Sequence, residues 1–167
     1  MRIVIGGDHA GYPLKQQIVP FLQTLDHEVH DCGAHSAEPV DFPDIASELC
    51  GLLLQGKADR GIMCCGSGVG AAIAANKVPG IRAALCHDTY CARQCVEHDN
   101  VNVLCMGHWV VGIKIAQDVV TAYLGATFSD DPDVRRRVAK LTAMEQQAAQ
   151  RFAQAPEATS AAKNDRR

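Results

Sequence analysis

Cys64-Cys65-Gly66-Ser67-Gly68-Val69-Gly70-Ala71 follows a strand-like run, Arg60–Cys65, and opens a helix-like one, Val69–Lys77. A short apolar run that ends in a glycine-rich loop and feeds a helix is the repeating unit of a parallel α/β sheet. The same unit recurs on both sides of it. Further candidate strands are Arg2–Gly7, Glu28–Cys32, Ile81–Leu85 and Asn102–Met106. Each is mostly β-branched or apolar, the composition of strands buried on both faces. Between them lie candidate helices near Tyr12–Leu25, Pro43–Gln55, Thr89–Glu97 and Val110–Leu124. Gly33, Gly56, Gly80 and Gly125 stand where elements should stop. The predicted fold is α/β, a doubly wound five-stranded parallel sheet between two helix layers. Ligands in such folds bind beyond the C-terminal ends of strands.

The pattern changes after Gly125. Ser129-Asp130-Asp131-Pro132 is a helix-start signal, and an extra C-terminal helix is expected from Asp133 to Gln154. It opens on Arg135-Arg136-Arg137, cations that oppose the helix dipole at that end. Either solvent holds them, or an anion or a partner chain does. One domain is expected over residues 1–155, followed by a polar tail, 156–167, with the composition of disorder. A chain of 167 residues is the size of one domain and can bury roughly two thirds of its unfolded surface.

A net charge of −3 gives no basic excess for nucleic acid or a membrane surface. No apolar run approaches the ~20 residues that span a bilayer. The chain starts directly on a strand-like run without an export signal. Eight cysteines then argue for a reducing, cytoplasmic setting. Most lie in apolar surroundings, where a free thiol packs as a small hydrophobe. Cys65 is the exception, and Cys64 should point to the opposite side by strand alternation.

Three segments carry chemistry. Asp8 and His9 follow the first strand and could hold and protonate sugar oxygens, or cap a helix and face solvent. In the Cys65–Gly70 loop, glycines let N–H groups turn toward a phosphate or an enediolate oxyanion. Cys65 lies just before a helix start, where a thiol pKa tends to fall, and a thiolate there could act as a base. His98 and Asp99 close a helix, where His98 could shuttle protons or simply complement the helix dipole.

Two rival readings concern the same residues. Gly66-Ser67-Gly68-Val69-Gly70-Ala71 fits the G-x-G-x-x-G/A dinucleotide fingerprint, with Asp88 roughly 20 residues on. That loop, however, follows the third strand, which leaves little chain for a second nucleotide-binding half. Cys91, Cys95 and His98 could hold zinc but lack a second close ligand pair.

Taken together, GGDHAGYPLK (Gly6–Lys15), CGSGVG (Cys65–Gly70), IAANKVPGIRA (Ile73–Ala83) and EHDNVNVL (Glu97–Leu104) resemble the type B ribose-5-phosphate isomerases and their galactose- and allose-phosphate relatives. The resemblance covers roughly residues 1–150. It implies a Rossmann-like three-layer sandwich, a homodimer or dimer of dimers with active sites shared between subunits, and no metal or cofactor. Carried onto this chain, it makes Cys65 the base that moves a proton between carbons 1 and 2. Ser67 and the N–H groups of Gly66, Gly68, Val69 and Gly70 would hold the enediolate. His98, supported by Asp8, would open the sugar ring, and His9 and Arg137 would bind phosphate. The implied activity is interconversion of ribose 5-phosphate and ribulose 5-phosphate.

Four positions depart from the family pattern. Phe42 stands where Tyr is usual, Asp99 where Asn is usual, and Trp109 and Asp133 where phosphate-binding arginines are usual. Losing two charged hydrogen bonds costs roughly 3–6 kcal/mol if nothing compensates. The departures gather on the substrate and spare the proton transfer. They raise a second expectation, the same chemistry on another sugar phosphate or a sugar without phosphate. A binding protein that kept only the fold would have no need of a base such as Cys65.

Overall fold

The computed structural model describes residues 1–154, so the expectation for the 156–167 tail lies outside the described residues. The elements run β1 (Arg2–Gly7), α1 (Tyr12–Thr24), β2 (Glu28–Asp31), α2 (Phe42–Leu54), β3 (Arg60–Cys65), α3 (Val69–Ala75), β4 (Ala83–Leu85), α4 (Thr89–Asp99), β5 (Val103–Gly107), α5 (Ile113–Gly125) and α6 (Pro132–Gln154). All strand pairs are parallel, in the order β2-β1-β3-β5-β4.

Side-chain alternation along the central strands builds the two faces of the sheet. Ile3, Ile5, Ile62, Cys64, Leu104 and Met106 enter one core with the apolar sides of α1, α4 and α5. Val4, Met63, Cys65, Val103 and Cys105 enter the other, beneath α2 and α3. The three layers follow from that division. Cys64 and Cys65 therefore face opposite ways, as period two requires.

The strands are not all buried on both faces. β2 is an edge and alternates exposed with half-buried residues. β4, the other edge, is three residues long and partly exposed. Its expected start at Ile81 is replaced by a turn. The Ile81 N–H donates to the Val78 carbonyl, and the Arg82 N–H to Asn102 Oδ1, 2.8 Å away. Among the described residues, no helix is long and apolar enough to cross a membrane.

Candidate active site

In sheets of this kind the ligand crevice opens where the strand order reverses. Here that point lies between β1 and β3, which pair with Gly7 opposite Cys64. The next residues, Asp8 and Cys65, consequently leave the sheet side by side. Cys65 Sγ donates to Asp8 Oδ2 at 3.1 Å, and the Gly11 N–H donates to Asp8 Oδ1 at 2.8 Å. Asp8 is buried, so its carboxylate is held in place by these two bonds.

The thiol corrects the expectation of a lowered pKa. Burial first, and the hydrogen bond to Asp8 second, push the Cys65 pKa above the ordinary thiol value of 9.0. A thiolate beside a carboxylate is a like-charge pair, which disfavours it. The N–H groups of Gly68 and Gly66 favour the thiolate but do not outweigh these effects. The expected helix start also contributes little. α3 has only seven residues and begins three residues beyond the loop's first glycine.

The loop is locked from both sides. Gly68 has φ +81°, and a Cβ there would meet Leu85 Cδ1 at 2.5 Å and the Met106 carbonyl carbon at 2.9 Å. The His108 N–H donates to the Cys65 carbonyl at 2.8 Å, and the Trp109 N–H to the Gly66 carbonyl at 3.0 Å. The Trp109 ring then packs against Gly66, with three ring carbons 2.7–2.9 Å from where a Cβ would sit. The tip of the Phe42 ring meets Gly70, with ring carbons 3.1–3.4 Å from a Cβ position. A side chain at position 66 would displace the Trp109 ring, and one at position 70 would press on Phe42. Phe42 and Trp109 thus flank the Cys65–Gly70 loop, and Trp109 remains 75% exposed. Sequence patterning gives no hint of that packing.

Ser67 and Val69 are exposed at the mouth of the crevice, with Ser67 Oγ accepting from the Val69 N–H at 3.3 Å. His9 is exposed as well, and its Nδ1 accepts from the Val40 N–H at 3.3 Å. This tethers the β2–α2 connection to the rim.

A second group lies elsewhere. α4 runs back across the sheet, so His98 and Asp99 in its last turn sit at the N-terminal edge of the strands, the edge opposite Cys65. His98 is exposed, with Gln94 Nε2 at 3.5 Å from its Nδ1, and Asp8 has no bond to it. The support of His98 by Asp8 is therefore not made within one chain. α6 starts beside the same turn, where the Ser129 N–H donates to the Glu97 carbonyl at 3.0 Å. Of the three arginines at its start, Arg135 pairs with Asp130, and Arg136 with Asp133 at 2.9 Å. Arg137 is exposed and has no carboxylate within ion-pair distance among the described residues. Asp133 fixes Arg136 and leaves Arg137 as the available cation. Among the described residues, no group of three or more His, Cys, Asp or Glu side chains is placed to hold a metal ion.

The family model for ribose/galactose isomerase matches residues 3–141. Ribose-5-phosphate isomerase B of Escherichia coli is 42% identical over 145 residues, covering 87% of this chain and 97% of that protein. A D-erythrulose-4-phosphate isomerase of Mycolicibacterium smegmatis is 38% identical over 148 residues, with the same shares covered. The solved structure of Clostridium thermocellum ribose-5-phosphate isomerase B superposes with a TM-score of 0.86 at 44% identity, covering 89% of this chain and 99% of that one. The chain belongs to the ribose/galactose isomerase family, and it is an isomerase with the Rossmann-like fold of that family.

Proposed function

We propose that this family member interconverts ribose 5-phosphate and ribulose 5-phosphate by a metal-independent cis-enediol proton transfer in which Cys65 is the carbon base. The observation that carries the reading is the 3.1 Å bond from Cys65 Sγ to Asp8 Oδ2 at the switch point of the sheet. A thiol must lose its proton before it can act as a base, and Asp8 is the carboxylate placed to take it. The thiolate then removes the proton from carbon 2 and returns it to carbon 1. The N–H groups of Gly66, Gly68, Val69 and Gly70, with Ser67, stabilise the enediolate oxygen as charge develops. Because the donors are fixed by the surrounding glycine contacts, they need no reorganisation during the reaction.

His98, Asp99 and Arg137 complete the site from a second copy of the chain. Their place at the far edge of the sheet supports a homodimer or a dimer of dimers with shared active sites. In that arrangement His98 opens the ring, and His9 and Arg137 take the phosphate.

A second reading has its own support. Trp109 packs against Gly66 where an arginine would have offered charge. The ring presents an apolar wall beside the base, which suits a shorter or less charged substrate, such as a four-carbon sugar phosphate. The M. smegmatis relative bears the name of such an activity. Comparing kcat/KM across tetrose, pentose and hexose substrates, with and without phosphate, tests both readings. If ribose 5-phosphate is preferred, the first stands. If a tetrulose 4-phosphate or an unphosphorylated sugar is preferred and Trp109→Arg raises ribose 5-phosphate turnover, the second does. Trp109→Arg without gain in an enzyme that prefers no other sugar removes the second reading.

A further inference from the structure

We propose that Cys86 and Cys95 are a peroxide-responsive dithiol whose disulfide restrains α4, the helix that carries His98 and Asp99. Their sulfurs lie 4.0 Å apart, with Cys86 donating to Cys95, the one thiol–thiol hydrogen bond among the described residues. Cys86 follows β4 directly and is anchored to the sheet by its N–H bond to the Cys105 carbonyl at 3.1 Å. Cys95 sits mid-way along α4 on its buried side, beside Ala92 and Val96. A bond between them ties the end of an edge strand to the body of the helix.

A disulfide needs sulfurs at about 2.05 Å, so the pair must close by roughly 2 Å. The movement falls on α4, because Cys86 is held by the sheet. Cys95 keeps a trace of exposure, and Cys91, one turn earlier, is exposed. A small peroxide can therefore reach the outer sulfur while Cys86 stays shielded behind it. The hydrogen bond from Cys86 lowers the Cys95 pKa below the ordinary thiol value, and that same bond, with burial second, raises the Cys86 pKa. Cys95, 8% exposed against 2% for Cys86, is thus the sulfur that reacts first, and Cys86 the one that resolves it.

The steps balance as follows. The Cys95 thiolate attacks one oxygen of hydrogen peroxide, forming S–O as O–O breaks, and the released hydroxide takes a proton to become water. The Cys86 sulfur then attacks Cys95, forming S–S as S–O breaks, and the departing hydroxide leaves as water with the Cys86 proton. Two thiols lose two electrons, and one peroxide becomes two waters. A dithiol reductant reverses the change by exchange.

The test uses the full chain carrying Cys65→Ala, so that the proposed catalytic thiol does not compete. It is treated with hydrogen peroxide, alkylated and digested with trypsin without reduction. Cleavage after Arg93 separates the fragment holding Cys86 and Cys91 from that holding Cys95 and Cys105. The expected result is a linked pair of fragments, lighter by two hydrogens, whose fragmentation places the bond between Cys86 and Cys95. It should persist in a Cys91→Ser background and disappear with dithiothreitol. A bond to Cys91, or Cys95 recovered as sulfinic acid without a cross-link, overturns the assignment. The effect on turnover rests on the proposed function and is read separately. In the enzyme with Cys65 intact, peroxide should cause a several-fold loss, part of it recovered by dithiothreitol. That recoverable part should vanish in Cys95→Ala, and in Cys86→Ala if the first variant folds poorly. Undiminished turnover of fully cross-linked enzyme overturns the restraint on α4.

Discussion

Replacing Asp8 by Asn removes one charge from the partner of Cys65 while keeping its shape. In the wild type the carboxylate accepts from the thiol at 3.1 Å and from the Gly11 N–H at 2.8 Å. The first bond favours the protonated thiol, and the thiol pKa stands above 9.0 in consequence of burial and of that bond. A hydrogen bond to a charged group is worth about 1.5–3 kcal/mol, and one pKa unit corresponds to about 1.36 kcal/mol. Loss of the carboxylate should therefore lower the thiol pKa, with burial still holding it up. The sign on activity follows from which form reacts. Only the thiolate is a base, so wild-type kcat/KM should rise with pH from neutrality through 9 without reaching a plateau. In Asp8→Asn that rise should begin at lower pH. The assay is kcat/KM for aldose-to-ketose conversion from pH 5.5 to 10, with thiol ionisation followed in parallel by its ultraviolet absorbance. A rising limb that stays in place, or moves to higher pH, refutes the dyad.

Gly11→Ala should destabilise the fold by about 1–3 kcal/mol, because its Cβ would overlap the Cys64 carbonyl and the Cys65 nitrogen, backbone atoms that cannot swing aside. Denaturant unfolding reads the loss, and activity should fall with it since the overlap lies beneath the base. Tyr123→Phe should act in the opposite direction. The Tyr123 hydroxyl is buried without a hydrogen-bond partner among the described residues, and deleting it should stabilise by about 1 kcal/mol, raising Tm by roughly 2–4 °C. An unchanged or lower Tm would mean that the hydroxyl is satisfied in solution.

The parts of the fold legible in the sequence are those set by period and punctuation. β1 and β3 fall on the residues expected of them, and each helix begins within about three residues of its expected start, inside or near ordinary boundary uncertainty. What stayed hidden depends on partners distant in sequence. The start of β4 was lost to a turn stitched by Asn102. The direction of the Cys65 pKa was misread because the glycine-rich loop and helix were legible while the carboxylate 57 residues earlier, at hydrogen-bond distance, was not. The aromatic pair over Gly66 and Gly70 joins three separate segments, and no local pattern marks it. His98 was legible as a residue of interest. Its position at the opposite edge of the sheet follows only from the course of α4.

Isomerisation of ribose 5-phosphate in heavy water with a chelator, followed by NMR for wild type and for Cys65→Ala, tests the central claim most directly. The wild type should convert the sugar and place deuterium on carbon 1 of the ketose, and the folded variant should do neither at a measurable rate. Conversion by Cys65→Ala at the wild-type rate, or a product free of deuterium in both, would contradict Cys65 as the base of an enediol mechanism.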